Sequence, residues 1–366
     1  MNIKFERSKE QLELVKAMAS ADKAEAYEAQ QAMAEFVGPV ISDVINTAPT
    51  LSNIFSDTTY DFDDNPSIPV DLFYDITDED YIKVWSQSVP GGLPSNTVIP
   101  TASEMKIATY TLDSAWNFEK RYARKSRLDV VAKVFSRMAQ EVMLKQERTS
   151  ANVILGTLAD NAANQLVAGT STRLLPADFN NLVVRAKRVN ASWTKGTPAG
   201  RVGGVTDLWM SPERMADLRA MAYNPINTVD SDGSVASGAD SGLTAPDAMR
   251  SQLFSAGGFP SFYGLAIHEI NELGKGQRYT KVFDILYNGT FSGAADDLIL
   301  GVDMSAGGLI RAVAADPESN NSIQLEVDDQ FVSRQRKIGY YMALEEGRVV
   351  LDSRTIFGIR IATAAS

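Results

Sequence analysis

The chain has 366 residues, enough for one large domain or two modest ones with a well-filled core. It carries no cysteine and one histidine, His268, which excludes disulfides, thiolate nucleophiles and cysteine-ligated metals and leaves a single candidate for imidazole chemistry. The net charge of −11 argues against a surface that grips nucleic acid all over, because tight phosphate binding draws on basic side chains.

No apolar run is long enough to cross a membrane as a helix. The first ten residues are polar and lack the apolar core of a secretory signal.

Residues 8–36 are rich in Ala, Glu, Lys, Gln and Met and read as one helix. Leu12, Val15, Ala19, Ala26, Met33 and Phe36 give only a thin apolar stripe, so this segment reads either as a frayed N-terminal helix or as an arm ordered by a neighbouring chain. Gly38-Pro39 is expected to end or kink the helix. From 46 to 108 six prolines separate short β-like pieces at 70–74, 81–85 and 105–111, with a Pro90-Gly91-Gly92 turn near the tip. This reads as an extended two-stranded loop. An isolated hairpin is marginal in water, so such a loop needs a partner surface.

Leu128, Val131, Phe135, Met138 and Val142 then mark one face of a helix running from Asp129 to about Asn161. At 1.5 Å per residue, about 25–30 residues would span about 40 Å. Residues 166–300 read as mixed α/β. A helix is expected at 176–189, with Asp178 able to cap it, and a buried strand at 205–210. A second helix should open at Ser211-Pro212 and run to Met221. Residues 227–246 read as a surface loop, and 262–270 and 282–287 as strands. The last third turns to β, with pieces at 298–302, 310–314, 323–327, 335–344, 349–351 and 356–361.

Motifs for chemistry are near-misses. His268-Glu269 opens like a zinc-protease helix, but the fourth residue after His268 is Glu272, so His268 is expected at the end of a strand. The run from Asp61 to Asn65 resembles the start of a calcium loop, yet Pro66 and Leu72 occupy the positions that need Gly and Glu. Asp240-Ser241-Gly242 sits in a polar context, unlike the buried strand of an aspartic protease. No catalytic, metal or cofactor residue is expected.

Charge is distributed unevenly. Asp57, Asp61, Asp63, Asp64, Asp71, Asp75, Asp78, Glu79 and Asp80 place nine acids in 24 positions with no base among them. Lys120, Arg121, Arg124, Lys125 and Arg127 place five bases in eight positions. Dense like charge repels within a segment and gains from an opposite partner. Two solvated faces are one reading; the acidic loop lying across the basic stretch of another copy is the other. DNA binding by 120–127 ranks lower.

The order of these pieces resembles the major capsid proteins of tailed double-stranded-DNA bacteriophages, the Hong Kong 97 fold. Three stretches carry the likeness: 113–118 through 126–129 leading into the long helix, 207–213 as a strand-to-helix turn, and 332–341 followed by 347–351.

The resemblance implies an α+β fold with an N-arm at 1–48 and an extended hairpin, the E-loop, at 49–108. A peripheral domain would lie at 109–174 and 304–344, and an axial domain at 175–303 and 345–366. It implies no enzyme and no cofactor, but self-assembly into hexamers and pentamers that close an icosahedral shell. Gly38, Pro39, Gly91 and Gly92 would be hinges that let one sequence serve both rings. Implied partners are other copies, a separate scaffold protein, a portal at one vertex and optionally a decoration protein. Double-stranded DNA would be enclosed without sequence-specific binding, and no membrane is involved. The short segment before the loop, about 45 residues, suggests no cleaved scaffolding region, and neither Lys83 nor Lys106 is expected to crosslink. The location implied is the virion capsid, assembled in host cytoplasm. An encapsulin-like compartment and, in a different class, an α/β hydrolase or ligand-binding protein are the alternatives.

Overall fold

The computed structural model describes residues 8–47, 51–61, 64–69, 104–190, 204–223, 261–262, 264–315, 322–328 and 336–362. Helix and strand are both present throughout, an α+β chain. It divides into two compact units. One is Met1–Ile68, Lys106–Ser150 and Ile310–Val349; the other is Pro69–Met105, Ala151–Leu309 and Val350–Ser366.

The first unit is built on a five-stranded sheet in the order β1-β10-β12-β11, with β4 also paired to β12. β1 is Ser56–Tyr60, β4 Thr109–Glu119, β10 Leu309–Ala314, β11 Gln324–Asp328 and β12 Lys337–Val350. β4 and β12 run antiparallel from Lys337↔Glu119 to Gly347↔Thr109. β1 lies parallel to β10, from Ser56↔Ile310 to Tyr60↔Ala314. Even-numbered residues of β12 share one face by strand alternation. Ile338, Tyr340, Met342 and Leu344 on that face are buried with the N-terminal part of α4, Leu128–Asp160. Tyr340 lies 5.0 Å from the ring of Phe135 and 6.4 Å from that of Phe118. The helix has 33 residues, about 50 Å at 1.5 Å each, and its ends match the expected 129–161 to within a residue.

The N-terminal segment departs from expectation. It forms two helices, α1 Lys9–Ala17 and α2 Lys23–Thr47. Ser8 starts the first by accepting from the Gln11 amide, and Asp22 accepts from the Ala24 amide at the entry to the second. Both pack within their own unit. Val15, Met18, Met33, Val37 and Ile41 are buried in the core of this same unit. The apolar stripe was underestimated because small residues carry much of it. Ala26, Ala29, Ala34 and Gly38 are buried beside Met33, Val37, Ile41 and Ile45, at steps of three and four. Pro39 does not end the helix. It lies inside α2 on the exposed side, where water can reach the Glu35 carbonyl that its missing N–H would have met, while the buried stripe continues past it.

Gly347 does not divide two strands, as the sequence suggested, but sits inside the long β12. A Cβ there would come within 2.7 Å of the Ala108 carbonyl oxygen, so glycine permits the close approach.

The second unit contains a six-stranded sheet in the order β5-β13-β9-β6-β8-β7. These strands are β5 Leu166–Ala168, β6 Asp207–Met210, β7 Ser261–Phe262, β8 Leu265–Glu269, β9 Asp296–Val302 and β13 Ile356–Ala362. Leu208, Met210, Ile267, Ile299, Phe357, Ile359 and Ile361 form one apolar face. Phe179, Leu182 and Ala186 of α6, Pro176–Asn190, and Met215 and Leu218 of α7, Pro212–Tyr223, complete that core. The buried Asp178 carboxylate accepts from the Leu175 amide at the start of α6, the reciprocal half of a capping box.

The expected strand at 282–287 is instead part of α8, Arg278–Leu286. Tyr279, Thr280 and Phe283 are its buried residues, a helical spacing that a short apolar run conceals. Ser211 caps α7 as expected, its hydroxyl 3.4 Å from the Arg214 amide, and donates 2.7 Å to the buried Asp297 carboxylate. We expect Ser211→Ala to lower stability by about 1–2 kcal/mol, read as a shifted denaturant midpoint with an unchanged slope.

Candidate assembly interface

Two short strands mark where the expected loop begins and ends. β2, Ser67–Pro69, pairs with β3, Glu104–Lys106, and the Ile107 amide donates to the Pro66 carbonyl at 2.9 Å. The chain thus leaves and returns at one place, with 34 residues, 70–103, between. The expected boundary at 49 moves. Leu51–Ile54 is a short 3-10 helix and β1 belongs to the large sheet, so 51–60 is part of the body.

The acidic run is divided accordingly. Asp57 lies on β1, and its carboxylate is 3.3 Å from the Arg311 guanidinium of its own chain. It therefore does not belong to the loop. Asp61 and Asp64 are exposed after β1, where the Asp64 amide donates to the Asp61 carbonyl. Asp63, Asp71, Asp75, Asp78, Glu79 and Asp80 fall outside the described residues, as do Gly91 and Gly92. Gly38 and Pro39, expected at a hinge, lie within the continuous α2, where Gly38 is buried against the core.

The basic run is described completely. Lys120–Arg124 forms the five-residue α3, set at the end of β4 by the bond from the Lys120 amide to the Arg336 carbonyl. Ser126 then adopts a left-handed φ of 49°, which turns the chain into α4. Arg121, Arg124, Lys125 and Arg127 are exposed and Lys120 is half-buried. Arg121 meets Glu119 at 2.6 Å and Arg127 meets Asp129 at 3.9 Å. None of the five pairs with Asp57, Asp61 or Asp64 among the described residues.

Beside this run lies a groove of about 340 Å³. Trp116 and Tyr122 form part of its lining, with Val134 beneath and Lys133, Arg137 and Lys337 at its edge. Trp116 is held from below, its indole N–H donating to Glu141 at 2.8 Å, and the Arg137 guanidinium stands 5.1 Å from its ring centre.

A buried charge cluster is the feature that sequence reasoning missed. Glu346 is fully buried on the inward face of β12. It accepts from Tyr110 at 2.8 Å, Gln146 at 3.0 Å and Arg311 at 2.9 Å, and from both terminal nitrogens of Arg348. Arg348 also reaches Ser52 at 2.8 Å, and Arg311 reaches Asp57. Burial alone would raise the Glu346 pKa. The two guanidiniums and the donated hydrogen bonds outweigh it and hold the carboxyl below its usual range. Burial pushes the Tyr110 hydroxyl up to about 12, so it stays a donor. The cluster ties β1, β4, β10 and β12 to α4, immediately before the chain leaves for the stalk. A signal was legible: Glu346 and Arg348 are two apart, in phase with Tyr340, Met342 and Leu344.

His268 stands on β8 as expected, its Nε2 2.8 Å from Asp207 and its ring stacked on Trp209 at 4.9 Å. Among the described residues no group of three potential metal ligands converges, and no helix is long and apolar enough to cross a membrane.

No family model matches the chain, and no curated protein matches it. Solved structures do. The chain is similar to the capsid of an empty GTA particle, at 14% identity and a TM-score of 0.49 over 86% of this chain and 90% of that one. It is similar to the capsid of the cyanophage P-SCSP1u, at 12% identity and 0.49 over 84% and 86%. It is also similar to the holo-SrpI encapsulin complex from Synechococcus elongatus PCC 7942, at 12% identity and 0.44 over 86% and 88%.

Proposed function

We propose that this chain is a shell-building protein: a bacteriophage major capsid protein of Hong Kong 97-like fold. Its copies associate as hexamers and pentamers into an icosahedral shell around double-stranded DNA. Assembly would take place in the host cytoplasm with a separate scaffold protein, a portal occupying one vertex. The chain acts by association rather than by catalysis.

The observation that carries this reading is the stalk. Ser67–Pro69 and Glu104–Lys106 pair, and the sequence of the 34 residues between them is rich in acid at its start. A segment that leaves and returns at one place can bridge to a second body without disturbing its own. The exposed cations of 120–127, in the first unit, are opposite in sign to the acids of 71–80, and such complementarity favours register between identical copies. Contacts repeated around a ring sum by multivalency, and head-to-tail contacts close when the rotation permits.

Electron microscopy of the full chain, expressed with and without its scaffold, tests the reading. Closed shells or ring-shaped capsomers are expected. A monodisperse monomer of 39.8 kDa at every concentration and with scaffold present would overturn it. Reversing Asp78, Glu79 and Asp80 together to lysine should block or deform shells while the circular dichroism spectrum stays that of the folded chain. Normal particles from that variant would remove the loop from the interface.

A further inference from the structure

We propose that Asn288-Gly289 is a self-modifying site, at which the asparagine loses its amide and a carboxylate appears just past the end of α8. The inference does not depend on shell assembly. It rests on where this dipeptide stands and on what the fold requires beside it.

Asn288 is the one asparagine in the sequence that glycine follows. It lies two residues past Leu286, the last residue of α8. The turn around it is anchored on a buried ring. Phe283 stacks on Tyr287 at 5.3 Å and meets Phe291 edge-on at 4.9 Å. The Tyr287 amide donates to the Phe283 carbonyl at 2.8 Å, and the Phe291 amide to the Gly289 carbonyl at 3.1 Å. Between these anchors Asn288, Gly289 and Thr290 are exposed. The anchoring decides which residue stands at 289. A Cβ there would overlap the Tyr287 ring, so glycine is what lets that ring lie against the backbone and still stack on Phe283. Glycine also leaves its own nitrogen uncrowded, and the Gly289 N–H meets no acceptor among the described residues.

The reaction needs water as its only co-reactant. The Gly289 nitrogen gives its proton to solvent base and attacks Cγ of Asn288. The Cγ–Nδ2 bond breaks, and Nδ2 takes up a proton and leaves as ammonia. A succinimide ring then joins the two residues. Water adds to either ring carbonyl and opens the ring, to aspartate or to isoaspartate, in which the main chain runs through the former side chain. Nothing is oxidised or reduced. Asparagine is among the thermally labile residues, and here it is exposed beside an accessible nucleophile. The new carboxylate stands beyond the C-terminus of α8, where the helix dipole disfavours negative charge, and within a turn of the exposed Ile285 and Leu286. Each modified copy therefore gains one negative charge beside an apolar surface.

The sequence makes the test clean. Trypsin cutting after Lys281 and Arg311 releases residues 282–311, in which Asn288 is the sole amide side chain. The folded full chain, held at mildly alkaline pH and body temperature, should convert this peptide to a form heavier by about one dalton, the difference between an amide and an acid. In water labelled with oxygen-18 the gain should be about three daltons, because one solvent oxygen enters. Isoaspartate should exceed aspartate in the product, and isoelectric focusing of the whole chain should show one added negative charge. Asn288→Gln, at an exposed position, should lose the heavier peptide and the acidic band together. The proposal is overturned if the peptide keeps its mass in the folded chain while the same chain unfolded in urea converts, since the fold would then shield the amide. Aspartate without isoaspartate would also overturn it, because no ring would have formed. All of these are read on the chain whether or not it assembles.

Discussion

Replacing Glu346 with alanine should cost the first unit about 3–5 kcal/mol, because two guanidiniums would remain buried without their shared carboxylate. The side chains of Arg348 and Arg311 are 1% and 6% exposed, so water cannot take over the lost bonds. Gln146 and Tyr110 would lose their acceptor in the same step. Glu346→Gln keeps the shape and most of the acceptor capacity, and its cost should fall between wild type and alanine. Denaturant unfolding of the full chain at neutral pH reads both. A loss under 1 kcal/mol for the alanine variant would mean that the cluster is not what holds these segments.

The same residue gives a dependence on acidity. The folded carboxyl titrates below its ordinary value of 4.5, so the unfolded chain takes up the proton first. Its contribution to stability is complete above that value and is lost as the pH falls below it. Wild type should therefore lose more stability than Glu346→Gln on acidification from neutrality through this window, and the two curves should converge in strong acid.

What the sequence displays depends on how each element is stabilised. The spine helix was legible because Val131, Phe135, Met138 and Val142 are large and periodic, and 33 residues leave no alternative to a helix. The caps at Asp178 and Ser211 were legible because capping is local chemistry. Three features were not. α8 is short and carries three buried residues, Tyr279, Thr280 and Phe283, too few to separate the helical period from the strand period. The stripe of α2 is made partly of alanine and glycine, whose burial depends on how closely the sheet approaches. The Glu346 cluster joins residues up to 296 apart in sequence, from Ser52 to Arg348, and nothing local announces such a meeting. In the candidate interface, composition displayed both charged runs, but only the fold assigns Asp57 to the sheet through Arg311 and separates it from the loop.

Deleting residues 1–47 should leave a chain that does not fold into a soluble first unit. An arm that waits for a neighbour could be removed with its body intact. Here the two helices cover Tyr340, whose hydroxyl lies 3.5 Å from the Gln30 carbonyl and 4.0 Å from the Met18 sulfur. Removing them would expose Ile338, Tyr340, Met342 and Ile323 together, a patch large enough to drive aggregation. Smaller truncations grade the effect: Met18→Ala and Ile41→Ala, both at fully buried positions, should each cost about 2–5 kcal/mol. A deletion variant that stays soluble with the thermal midpoint of the full chain would restore the arm. The consequence reaches assembly. Under the proposed shell function, a 1–47 segment fixed as a layer of its own subunit would not be the part that adapts between five-fold and six-fold rings. Under that proposal the adjustment would fall to residues 70–103, between the paired Ser67–Pro69 and Glu104–Lys106. Stiffening that stalk, for example by a disulfide between Ser67→Cys and Lys106→Cys, should alter the ratio of closed shells to aberrant tubes or sheets, whereas rigidifying α2 with Pro39→Ala should not.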